Sequence, residues 1–204
     1  LKQLKKNNFL LSQFDYHTAC AIFAYKYKCI KPELNNSNIN ISQGRNPLLL
    51  ISDKKIVPLN CNLNQHKMLI ISGPNAGGKT VALKTIGLYS LMIKNGIFIP
   101  AKKIELPNFK YILCDIGDQQ SIENDLSTFS AHIQNIKNIT NIADSTTLVL
   151  LDELGTGTDP SAGTAIAKAI LDFLLKTDCF SIITTHIGAI KNWGQNNNQV
   201  INSG

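Results

Sequence analysis

Apolar positions along this chain fall into two alternating patterns. Short, almost uninterrupted runs occur in "HKMLIISG" (66–73), "FKYILCDIG" (109–117), "TTLVLLDE" (146–153) and "CFSIITTH" (179–186). Runs of that length and β-branched content predict strands buried on both faces. Between them, apolar residues recur every three or four positions. Residues 9–29 carry Phe14, Ala21, Ile22 and Tyr25 at such intervals, and 80–93 reads as a helix by composition and length. From Ser127 onward the stripe is Phe129, Ile133, Ile136, Ile139 and Ile142; from Pro160 it is Ala162, Ile166, Ala169, Ile170 and Phe173. The intervals in 9–29 predict a helix, and the last two stripes predict helices with one apolar face. Pro32 and the polar run "NNSNIN" end the first helix, and "PLLLIS" and "KIVPLNCNL" predict two further short strands. No internal repeat is visible. The alternation predicts an α/β fold, a mostly parallel sheet with helices on both faces, preceded by an N-terminal helical arm.

Composition narrows this picture. With 204 residues, 44% hydrophobic and 17% charged, the chain suffices for one globular core, or one domain plus an arm. Its apolar runs are far too short to span a bilayer, and no secretory pattern opens it, so no membrane partner is expected. The first residue is not Met and a helical pattern is already under way, so the expectation is a fragment of a longer protein. Five widely spaced cysteines without a CxxC pair suit small buried or half-buried thiols in a reducing cytoplasm. The net charge of +6 is carried almost entirely by lysine, since Arg45 is the only arginine. That balance permits contact with a polyanion but argues against base readout by guanidinium groups. The lysines at 2, 5, 6, 26, 28 and 31 read first as a solvated helical face.

The chemistry concentrates in "ISGPNAGGKTVALKTIG" (71–87). Gly73, Gly78, Lys79 and Thr80 fit G-x-x-x-x-G-K-[ST], a pattern that chance gives in about one chain in a hundred of this length. A buried strand precedes it and a helix follows, as a phosphate-cradling loop requires. Glycines there let backbone N–H groups curl around phosphate oxygens, and the helix start adds its positive end. Lys79 would neutralise β/γ-phosphate charge and the Thr80 hydroxyl would ligate Mg²⁺. Asp152, at the end of "LVLLDELG", suits the second Mg²⁺-holding position, and Glu153 beside it suits a general base that polarises water. His186 follows the last apolar strand and could hydrogen-bond the γ-phosphate. Lys79, Asp152 and His186 all stand at strand carboxyl ends, so they should converge on one crevice. His17, His66 and His132 read as structural.

Taken together, "GPNAGGKT", "DIGDQQSIENDLSTFSAHI", "LVLLDELGTGTDPSAGTAIA" and "TTH" resemble the ATPase domain of the MutS family, with the central block closest to the second MutS branch (MutS-two). The resemblance covers residues 9–204 and is most specific over 71–186. It implies a P-loop NTPase of ABC type, with 1–34 as the end of a helical lever or clamp arm and 35–204 as the ATPase domain. By resemblance, Gly73, Pro74, Asn75, Ala76, Gly77, Gly78, Lys79, Thr80 and Val81 would hold ATP phosphates, while Ile56 and Val57 lie where the family packs adenine. Thr80 and Asp152 would hold Mg²⁺. Ser127 in "LSTFS" matches the serine that reaches the γ-phosphate of a partner subunit, and 156–160 match the loop that crosses that dimer interface. Where the family usually shows Arg-His-Pro, this chain has Arg45, Asn46 and Pro47, so Asn46 receives no ligand role. The implied protein is a homodimeric ATP-driven clamp on DNA, in mismatch repair or recombination control, or on stalled ribosomes. The competing class is a nucleotide-gated interaction module in which ATP binding rather than turnover matters. A transporter subunit fits least, because no LSGGQ-type stretch is present.

Overall fold

A computed structural model of the chain describes residues 1–35, 37–52, 54–74, 78–117 and 125–203, with backbone only for 125–128. Asn75, Ala76 and Gly77 therefore lie outside the described residues, as does the side chain of Ser127. The four uninterrupted apolar runs form strands β4 (Met68–Ser72), β6 (Tyr111–Asp115), β7 (Thr147–Leu151) and β8 (Phe180–Thr185). With β9 (Val200–Ser203) they make an all-parallel sheet in the order β6-β7-β8-β4-β9. Alternate residues of each strand serve opposite layers, as the pleat dictates. Leu148 and Leu150 of β7 join a core with Leu83, Ile86 and Tyr89 of α3 (Lys79–Lys94). Val149 and Leu151 point the other way. They meet Ile136 and Ile139 of α4 (Asp125–Ile142), Leu171 and Leu174 of α5 (Pro160–Thr177) and Ile190 of α6 (Gly188–Gln195).

Connection handedness explains this split. The β4-to-β6 crossover runs one way across the sheet, whereas the steps to β7, β8 and β9 run the other way. Right-handed crossovers therefore place α3 on one face and α4, α5 and α6 on the opposite one. A second sheet, in the order β1-β5-β2-β3, comprises β1 (Glu33–Asn35), β5 (Lys103–Pro107), β2 (Asn40–Gly44) and β3 (Leu59–Asn62). Its Ile41, Ile104 and Leu106 share the core that α3 lines.

Three sequence expectations change. "PLLLIS" is not a strand but the short helix α2 (Pro47–Ile51). Asn46 caps it, its Oδ1 accepting the N–H groups of Leu48 at 3.0 Å and Leu49 at 3.2 Å, and Pro47 occupies the first turn. That Asn-Pro start was a legible helix signal that outranked the apolar run. The first helix, α1 (Lys2–Lys26), has no buried residue, and its expected stripe is in solvent, with Phe14 72% and Tyr25 90% exposed. Phe23 packs on the core instead, and Arg45 fastens the helix end by donating to the carbonyls of Tyr27 and Lys28. The six N-terminal lysines are exposed. In α5 the buried residues are Gly163, Ala167, Leu171 and Leu174, while Ala162, Ala169 and Phe173 are exposed. That helix is apolar around most of its circumference, so periodicity alone could not choose its inward face.

The five cysteines are free thiols; Cys179 is buried, and burial pushes its pKa to about 12. Asn46 also donates to Thr85 Oγ1 of α3 at 2.8 Å, so one buried side chain ties α2 to α3. Asn46→Ala is expected to lower stability by about 1–2 kcal/mol, the usual cost of losing a helix cap. Asn46→Asp should recover less than the cap contributes, because it keeps the cap but sets a buried carboxylate oxygen against Thr85 Oγ1, whose proton is given to the Val81 carbonyl at 2.6 Å. Denaturant midpoints at constant m-value measure both; an unchanged midpoint for Asn46→Ala would remove the cap from the account.

Candidate functional site

The carboxyl ends of β4, β6, β7 and β8 lie side by side, and the candidate residues gather there. Gly78 takes a left-handed φ of 77° and turns the chain from the β4 loop into α3, whose first residue is Lys79. Lys79 is 5% exposed, and its Nζ donates to the carbonyl of Gly73 at 2.7 Å. The ammonium is thereby drawn back over the start of its own loop. Thr80 Oγ1 donates to Asp152 Oδ1 at 3.1 Å, joining the start of α3 to the end of β7 across 72 residues.

Beyond Asp152 the chain turns sharply. Glu153 has φ 52°, a left-handed conformation that costs a non-glycine residue about 1–2 kcal/mol. Neighbouring groups hold it on both sides. Its N–H donates to Thr184 Oγ1 at 2.8 Å, and its carbonyl accepts from Thr156 Oγ1 at 2.8 Å. The Thr184 hydroxyl in turn donates to Asp152 Oδ1. Gly155 follows, and α5 presents Gly163 against it: a Cβ on Gly163 would sit 2.1 Å from the Gly155 carbonyl oxygen. No side chain fits there without moving the loop that carries Glu153.

A third acid, Asp115, ends β6. Its carbonyl accepts the Asp152 N–H at 2.9 Å, and its carboxylate meets His132 Nδ1 at 2.9 Å and Asn135 Nδ2 at 2.8 Å, both from α4. A cavity of about 30 Å³, room for one or two waters, is lined by Asp115, His132, Asp152, Glu153 and Gly155 among others. His132, which reads as structural in the sequence, bonds Asp115 and lines this cavity. Sequence reading also passed over Asp115, although an acid closing the apolar run "YILCD" carries the same signal that picked out Asp152. Nothing in the local sequence distinguishes Thr184.

The other expected residues are placed less centrally. His186 follows Thr185 at the same sheet end and is exposed. Pro74 is exposed, and Val81, in the first turn of α3, is 43% exposed. Ile56 is half-buried and Val57 is 85% exposed in the segment between α2 and β3. Arg45, fastened to the end of α1, is committed to holding the arm.

The arrangement fits Mg²⁺ and a polyphosphate. Mg²⁺ takes hard oxygen donors, commonly one or two carboxylates completed by substrate phosphates, and the Thr80 hydroxyl and Asp152 carboxylate already meet. Among the described residues no group of three or more His, Cys, Asp or Glu is placed to hold a metal ion by itself. No described helix is long and apolar enough to cross a membrane.

A parallel sheet with helices on both faces, whose strand-end acid Asp152 is bonded to the first turn of α3, defines the class: an α/β domain with polar residues gathered at the carboxyl ends of its strands. The family model for MutS domain V matches residues 69–203, from β4 through β9. The chain belongs to the MutS family. It is 44% identical over 205 residues to "Endonuclease MutS2" of Shouchella clausii, covering 99% of this chain and 26% of that protein. It is also similar to the proteins of the same name from Caldanaerobacter subterraneus (46% over 187 residues, 90% of this chain and 23% of the relative) and Caldicellulosiruptor bescii (48% over 198 residues, 96% and 25%). The chain spans about a quarter of the length of these relatives.

Proposed function

We propose that residues 35–204 are an ATP-binding and ATP-hydrolysing domain of the ABC-type P-loop class, and that residues 1–34 end a helical lever or clamp arm. The observation that carries this reading is the Thr80–Asp152 hydrogen bond of 3.1 Å, which joins the phosphate-loop helix to the strand-end acid. Lys79 and the start of α3 bind and orient the phosphate chain, and Thr80 with Asp152 would hold Mg²⁺. When bound, that ion neutralises charge on the β- and γ-oxygens. Glu153 accepts the proton of the attacking water, and His186 steadies the γ-phosphate. Gly73, Pro74, Asn75, Ala76, Gly77, Gly78 and Val81 complete the cradle, and Ile56 and Val57 pack the adenine.

The domain acts as a homodimer in the cytoplasm, each Ser127 reaching the partner's γ-phosphate, and it drives a clamp on DNA or on stalled ribosomes. Two features support a shared site. The only arginine is tied to the arm, and Ser127 lies in the first turn of α4, where the positive helix end can stabilise phosphate charge.

Mixing experiments on the protein at its natural length test this. A Ser127→Arg chain and a Lys79→Ala chain should each hydrolyse ATP poorly. In their heterodimer one composite site carries both defects and the other carries neither, so activity should partly return. Confirmed heterodimers without recovered activity would overturn the shared site. Tight ATP binding with no turnover in the parent protein would instead favour a nucleotide-gated interaction module.

A further inference from the structure

We infer that Thr184 is a positioning residue for this site, fixing both the Asp152 carboxylate and the Glu153 backbone through one hydroxyl. The inference rests on the reading of Asp152 and Glu153 as the Mg²⁺-holding acid and the general base.

Thr184 is fully buried near the end of β8, in a register that pairs it with Ile71 of β4. A hydroxyl has one proton to donate and lone pairs to accept. Here the Glu153 N–H, at 2.8 Å, takes a lone pair, so the single proton is left for Asp152 Oδ1. The bonds form a directed chain from the Glu153 amide through the Thr184 hydroxyl to the Asp152 carboxylate. The same Oδ1 also receives Thr80 Oγ1 at 3.1 Å, so two hydroxyls from two elements set the orientation of one carboxylate.

The backbone of Thr184 takes part as well, its carbonyl accepting the Leu154 N–H at 3.0 Å. Glu153, at φ 52°, is thus bracketed by contacts to one residue on the neighbouring strand. Such a conformation persists only where its surroundings over-determine it. Thr185 differs. Its hydroxyl accepts from Ile187 N–H at 3.1 Å and reaches the Leu154 carbonyl at 3.3 Å, contacts that shape the turn after β8 without touching either acid.

Thr184→Val keeps the shape and removes the donor, leaving the Glu153 amide without its acceptor. Partners that orient metal-holding groups typically contribute about 10–100-fold in metal affinity or activity. In the full-length protein, kcat should therefore fall by about 10–100-fold. Binding of a fluorescent ATP analogue in EDTA should be unchanged, because Lys79 and the loop are intact. The Mg²⁺ concentration that half-saturates the Mg²⁺-dependent increase in analogue binding should rise by about tenfold or more. Thr184→Ser, which keeps the hydroxyl, should recover most of both losses, and Thr184→Ala should reproduce the defect if the valine variant does not fold. Normal turnover and normal Mg²⁺ dependence in a folded Thr184→Val or Thr184→Ala protein would overturn the inference. So would a serine variant as impaired as valine, which would assign the effect to packing of the methyl group. Asp152→Asn separates the two levels. If it is impaired while Thr184→Val is normal, only the role of Thr184 fails; if Asp152→Asn is itself normal, the reading of the site fails.

Discussion

Lys79→Ala is expected to abolish tight ATP binding. Lys79 is 5% exposed, and it opens α3 directly behind the left-handed turn at Gly78. Its Nζ lies 2.7 Å from the Gly73 carbonyl, which keeps the cation beside the end of β4. A hydrogen bond to a charged group contributes about 1.5–3 kcal/mol, and a triphosphate would engage this ammonium through more than one oxygen. The nucleotide dissociation constant should then rise by about 100-fold or more. The loss should be specific to the phosphates: adenosine, which has none, should compete no differently against the variant and the parent. Isothermal titration with ATP measures the effect, and an unchanged dissociation constant in a folded variant would discard the phosphate-loop assignment.

Glu153→Gln should do the opposite, sparing binding and removing turnover. The amide is isosteric with the carboxylate and keeps the backbone bonds to Thr184 and Thr156, so the left-handed turn has no reason to open. It cannot accept a proton from water. General-base contributions are typically about 10²–10⁴-fold, and kcat should fall by that order while ATP affinity stays near its parent value. Single-turnover hydrolysis with saturating nucleotide is the direct measurement. Near-normal turnover would move the base elsewhere, and His132 is the first place to look, because it lines the same small cavity. Loss of ATP binding in this variant would point to a collapsed turn rather than to missing chemistry.

The elements nearest the chemistry were the most legible. Phosphate binding demands glycines and a lysine at fixed spacing between a strand and a helix, and Gly73, Gly78, Lys79 and Thr80 stand at that spacing between β4 and α3. A strand buried on both faces must be apolar throughout, which exposes its terminal acid, Asp152, by contrast. Short strands escaped for the converse reason. β1, β2, β5 and β9 have three to five residues of mixed polarity, and their partners stand far away in sequence. The face of α5 was misjudged because Gly163 reads as a gap in an apolar stripe, whereas packing makes it the point of closest approach to Gly155.

By itself the amino-acid order determined the strand-and-helix alternation, the phosphate-loop spacing and the acids at strand ends, since local geometry imposes each of these on nearby residues. Only the tertiary structure decided that Thr184 would join Asp152 to Glu153, that Asp115 and His132 would flank them, and that Arg45 would serve the arm. Those contacts link residues 17 to 32 positions apart, and the ones made by Thr184 exist because β8 lies beside β7 in the sheet. A hydroxyl or an imidazole has no local pattern that marks it for such a role; its partner is chosen by which strand end comes to lie beside it.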